Sequence, residues 1–158
     1  MNRSGNLGVT INSRPYGKVE VEESRIIDFP DGIPGFDFVK KFAILDVKDD
    51  ESPFKWMQAA EETDLAFVII SPADFMPDYE LDISRSDLES IGADIKTPIL
   101  VYAIVTIPEN PADMTANLQG PVIINPAKKL GRQAISLSDK YIVRHRIVDE
   151  INRSRGGE

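Results

Sequence analysis

The 158-residue chain has no cysteine, a single histidine and a single tryptophan. Without cysteine there is no disulfide framework and no thiolate zinc site, and the absence suits a reducing compartment. With His145 alone, a multi-histidine metal site is excluded. A Ser-His-Asp triad would have to use that residue, yet no serine sits in a G-x-S-x-G elbow. Arg144 and Arg146 flank it on a β-rich run, so His145 reads as a surface strand residue. P-loop and G-x-G-x-x-G patterns are lacking, which leaves nucleotide phosphates without an evident cradle. Long apolar runs are lacking too. The longest, Ile99 to Val105, is far short of the roughly 20 residues of a membrane helix. The opening MNRSGNLGVT has no apolar h-region of a secretory signal. The expectation is a cytoplasmic protein with no membrane association, no metal, no cofactor and no catalytic residues.

What is present is an ordinary folded composition, 42% apolar and 28% charged, in a length that suits one domain. Its formal net charge of −8 is unevenly spread. Residues 46–94 hold 14 acids against 3 bases, a net −11, while residues 128–158 hold 8 bases against 4 acids, a net +4. Such an acidic stretch repels nucleic acid and attracts basic partners.

Strand patterns dominate. Lys18–Val21, Arg25–Phe29, Phe42–Val47, Phe54–Ala59, Leu65–Ile70 and Tyr79–Ile83 are short β-rich runs bounded by Pro, Gly, Asp or Asn. Ile99–Ile107, Val122–Ile124, Arg132–Leu137 and Tyr141–Val148 follow. Ile99–Ile107 is apolar on both faces and reads as a strand buried from both sides. Proline cannot donate a ladder hydrogen bond, and most of the prolines fall between these runs. One helix is credible, Arg85 to Ile91, capped by Ser84, ended by Gly92 and stapled by Ile83 and Leu88. That is too little helix for βαβ crossovers. The pattern predicts a mainly β, compact antiparallel β-barrel-like single domain with one or two short helices. Its expected divisions are a partly flexible N-terminal extension over 1–12, the barrel over 13–149, and a disordered basic tail over 150–158.

Two segments stand out chemically. In Ile26–Phe36, Gly32 and Gly35 permit the positive φ of two successive turns while Phe29, Ile33 and Phe36 anchor them. In Thr115–Asn125, Asn117 and Asn125 suit turn positions and Gly120-Pro121 breaks the chain, so a tight connection is expected. With Tyr16-Gly17, Pro53–Gln58, Leu65–Phe67 and Pro77–Tyr79, these segments resemble the flagellar assembly factor FliW family. The family's F-P-x-G-I-P-G-F is matched at Phe29–Phe36, its P-F-x-W-[LM]-Q at Pro53–Gln58, and its T-x-N-L-x-x-P-x-x-x-N at Thr115–Asn125. Gly131 and Gln133 match its late glycine and glutamine. The resemblance implies a β-barrel-like fold without catalytic residues. It further implies binding to flagellin in the cytoplasm and to CsrA, a small RNA-binding translational repressor. Flagellin and CsrA would compete, linking flagellin translation to flagellum assembly.

The candidate partner-binding residues lie in the acidic stretch. Asp74, Asp78, Glu80 and Asp82 are expected to face the basic repressor, and Phe75, Met76 and Tyr79 to give the apolar contact beside them. Phe29, Phe36, Trp56 and Phe67 are assigned to the core. Two other classes are open to the same sequence. One is a carboxylate-based hydrolase on a β-barrel, which needs two convergent carboxylates in a cleft. The other is an RNA-binding barrel using the basic C-terminal strand around Tyr141, Arg144 and Arg146.

Overall fold

The structure, a computed structural model, describes residues 8–47 and 51–156. Strands β1 (Gly8–Ser13) and β2 (Gly17–Glu22) form a hairpin of their own. The others are β3 (Ile26–Asp28), β4 (Lys41–Asp46), β5 (Phe54–Ala59), β6 (Ala66–Ile70), β7 (Leu100–Thr106), β8 (Thr115–Asn125), β9 (Leu130–Gln133) and β10 (His145–Arg146). Strands β3 to β9 pair in sequence order except that β9 returns to β3, and β8 also pairs β9, so seven strands close into a barrel. Every pairing is antiparallel save the β3–β9 contact at Asp28 and Leu130. Closure removes the exposed edges an open sheet would present.

Strand alternation explains the layers. Phe42 and Ile44, Met57 and Ala59, Ile69, Tyr102, and Val122 and Ile124 point into the barrel, which side chains fill completely. The opposite faces are covered as well. The β1–β2 hairpin packs Ile11 and Val21 over Ala43, Leu45 and Trp56. Segments 75–93 and 134–151 wrap the outer face of β6, β7 and β8. This double burial is why Ile99–Ile107 is apolar on both faces. The Phe29–Phe36 loop closes one end: Gly32 (φ +65°) and Gly35 (φ +90°) make its turns, and Phe29 and Ile33 enter the core. Phe36 and Phe67 pack against that core, their rings 5.6 Å apart.

Helix α1 (Arg85–Ser90) has the expected cap, the Asp87 N–H donating to Ser84 Oγ at 3.0 Å, and Gly92 leaves it at φ +69°. Helix α2 (Ile147–Gly156) takes the end of the expected strand Tyr141–Val148 and residues 150–156 of the expected tail. Ile147 and Ile151 dock on the barrel, and their burial offsets the entropy of ordering. Residues 1–7, 157 and 158 lie outside the described residues, while residues 8–12 of the expected extension belong to β1. Thr115–Asn125 is one long strand and no tight connection, because Asn117 Oδ1 accepts the Gln119 and Gly120 N–H groups and absorbs the break as an irregularity within the strand. Arg132–Leu137 leaves the ladder at Gln133, and Tyr141–Val148 keeps only two strand residues before α2. Tyr79–Ile83 pairs with no strand. Among the described residues, no helix is long and apolar enough to cross a membrane.

Candidate functional site

The segment from Ser71 to Ile83 leaves the barrel because of Pro72. Proline donates no ladder bond, and a 3₁₀ turn over Pro72–Asp74 begins there. The Phe75 and Met76 N–H groups donate to Pro72 O at 3.2 and 2.8 Å, and Tyr79 N–H to Met76 O at 2.9 Å, which folds the segment tightly. Phe75 (1% exposed) and Met76 (4% exposed) are buried against Ile70, Ala103, Val105, Leu118 and Tyr141. They cannot be the surface contact expected of them. Their role is to anchor the segment that displays its neighbours.

Tyr79 is half-buried, its ring centroid 4.9 Å from that of Tyr141, whose hydroxyl accepts the Glu80 N–H at 3.0 Å. Burial, with the neighbouring Tyr141, pushes the Tyr79 phenol up to about 12, so it stays neutral. Asp74, Asp78, Glu80 and Asp82 are all exposed, and among the described residues none of the four is in an ion pair. Among the described residues, six cations are engaged with other acids. Arg25 and Lys55 hold Asp46 at 3.2 and 2.8 Å, and Lys41 holds Asp28 at 2.6 Å. Arg132 holds Asp31 and the buried Asp87, and Arg146 holds Asp113 and Asp149. Arg153 of α2 feels the acidic segment: Glu150 first, and Asp78 least, raise its pKa. Asp78 and Arg153 line a small cavity of about 160 Å³.

A larger groove of about 520 Å³ lies beside the acids, with Asp74, Tyr79 and Leu81 along it and Leu100, Val101 and Tyr102 opposite. Sequence reasoning missed this groove. Its signal was Pro72, which ends β6 while β7 still runs on.

His145 is a second correction. It is 8% exposed, not a surface residue. Its Nε2 accepts the Ile142 N–H at 2.9 Å, so the ring proton sits on Nδ1, 3.0 Å from Glu150 Oε2. Burial works to raise the Glu150 carboxyl, but the hydrogen bonds from Arg153 and His145 outweigh it and hold the group below the usual range. In the basic C-terminal strand Arg146 is held by acids and His145 by α2, while Arg144 is exposed. Among the described residues, no group of three or more His, Asp or Glu side chains comes together as a metal site.

A closed barrel with its core filled from inward-facing strand residues, wrapped on the outside and carrying exposed carboxylates beside a largely apolar groove, places the chain among small β-barrel proteins. The FliW protein family model matches residues 10–147. Flagellar assembly factor FliW of Alkaliphilus metalliredigens is 41% identical over 143 residues, spanning 90% of this chain and 88% of its own. That of Leptospira interrogans is 42% identical over 144 residues, with 90% and 95% covered. A crystal structure of the flagellar assembly factor FliW superposes with a TM-score of 0.80 at 35% identity, covering 88% of this chain and 96% of that one. The chain belongs to the FliW family.

Proposed function

We propose that the protein is a non-enzymatic flagellar assembly factor that acts in the cytoplasm by binding flagellin and, alternately, a CsrA-type translational repressor. With flagellin scarce, it occupies the repressor and relieves repression of flagellin synthesis; accumulated flagellin displaces the repressor. Support for the flagellar role comes from family membership. The observation that carries the repressor half is the set Asp74, Asp78, Glu80 and Asp82, exposed and free of ion pairs among the described residues. A repressor that binds RNA presents a basic surface, and unpaired carboxylates attract it without first breaking internal pairs. Phe75 and Met76 support the site from beneath, and Tyr79 forms its apolar shoulder.

The test is a competition titration with purified partners. The protein should form a complex with the repressor, and added flagellin should release the repressor stoichiometrically. A ternary complex, or no complex with either partner, refutes the exchange.

A further inference from the structure

The groove beside the acids has a structural origin that points to the shape of its occupant. Strand β6 pairs with β7 through Val68–Val105, Ile69–Ile104 and Ile70–Ala103, and there the ladder stops. Strand β7 continues for three more residues, Tyr102, Val101 and Leu100, paired only with β8 on its other side. Residues of a strand direct their N–H and C=O groups alternately to the two sides, so part of this stretch points its backbone polar groups away from β8 and into the groove. Among the described residues, no backbone hydrogen bond joins 100–102 to the wall opposite. A helix satisfies its own backbone and cannot use these groups, whereas an extended chain can.

The chemistry of the walls narrows the occupant further. Leu81, Tyr79 and Tyr102 make the groove largely apolar, with Leu100 43% exposed at its lip. Asp74 lines it, and Asp78, Glu80 and Asp82 stand exposed along the same segment. The one cation in the wall, Lys55, is turned to Asp46 at 2.8 Å, a carboxylate that Arg25 shares, so the acids a partner would meet are Asp74 in the lining and the 78–82 carboxylates beside it.

We propose that this groove receives an extended, cationic segment of the CsrA-type repressor, which adds as a short strand beside residues 100–102 with alternate apolar side chains in the groove and Lys or Arg against the acids. The inference rests on the reading that the 74–82 acids face the partner, and it adds the backbone geometry of the contact.

Hydrogen exchange of the full chain, alone, with the purified CsrA-type repressor and with flagellin, tests it without any substitution. Slowed exchange at both 74–82 and 100–102 in the repressor complex is the expected result. Protection at 74–82 with 100–102 unchanged in that complex overturns strand addition and leaves the charged-face reading standing, and protection of 100–102 by flagellin alone overturns the assignment of the occupant. Failure to bind the repressor removes both. In parallel, Leu100→Lys places a cation in the groove and should weaken the same complex at least tenfold while the melting transition stays in place. Unchanged affinity overturns the proposal, as does a self-associated wild-type protein that Leu100→Lys renders monomeric.

Discussion

At the scale of single residues, the positions that carry the family resemblance are mostly structural joints. Gln58 is fully buried, and its Oε1 accepts the Arg14 N–H at 2.8 Å. Its Nε2 donates among the carbonyls of Ala59, Glu62, Thr63 and Leu65 at 3.0 to 3.2 Å. One amide thus ties the β1–β2 hairpin to the barrel and shapes the β5–β6 turn. Gln58→Leu keeps the volume but strands these groups, and should cost about 2–4 kcal/mol in urea denaturation. A cost under about 0.5 kcal/mol would mean that water replaces the amide freely. Gly131 is a joint of another kind, since a Cβ there would meet the buried Phe29 ring at 2.5 Å. Asp46 supplies a pH-dependent contribution. Hydrogen bonds from Arg25 and then Lys55 hold its carboxyl down from 3.8 to about 2. A carboxyl depressed by folding stabilises above its unfolded pKa and loses that contribution as pH falls through the folded value. The stabilisation is therefore whole above about pH 4 and nearly gone by about pH 2, and at 58% side-chain exposure it amounts to only ~0.5–1 kcal/mol. Asp46→Asn should flatten that part of the acid limb. Parallel pH profiles for the two proteins would contradict the assignment.

At the scale of elements, α2 shows how a marginal helix is held. Ten residues form little helix alone in water. Here Ile147 and Ile151 dock on the barrel, Glu150 accepts a hydrogen bond from His145 Nδ1–H, and Arg153 closes on Glu150 from the next turn at 3.1 Å. His145→Phe fills the ring's space but leaves the Ile142 N–H without its acceptor and Glu150 without one donor. Destabilisation of about 2 kcal/mol is expected, with faster amide exchange across 147–155 and little change in the barrel. Uniform loosening of the whole domain would instead make His145 part of the global core. The barrel strands were legible in sequence because both faces are buried, so their apolar runs are dense and proline marks where most of them stop. Elements set by long-range contacts were not legible. Thr115–Asn125 looks like a turn by composition, and only the pairing with β7 and β9 makes it a strand. Tyr79–Ile83 has strand composition but finds no ladder, and Phe75 and Met76 give no local sign that they point inward. His145 between two arginines looks exposed because its partners, Ile142 and Glu150, identify themselves only once the chain turns into α2.

At the scale of the whole molecule, the net charge of −8 matters less than its arrangement. Six described cations are engaged with acids, and α2 carries its arginines on a helix beginning where the family model's match ends, at residue 147. The 74–82 segment presents an outward-facing negative field, anchored from below by side chains that cannot shift without opening the core. Such a field acts mainly on encounter, since charges at an interface rim steer association more than they set its final strength. The screening length shrinks from about 10 Å at 0.1 M salt to about 3 Å at 1 M. Association with the CsrA-type repressor should therefore slow by about tenfold or more over that range, with dissociation changed far less. Replacing Asp74, Asp78 and Asp82 by Asn and Glu80 by Gln together should abolish most of that salt dependence and slow association at low salt. Stopped-flow mixing separates the two rates. If the neutralised variant associated as fast as the parent at low salt, the encounter surface would have to lie on another face of the barrel.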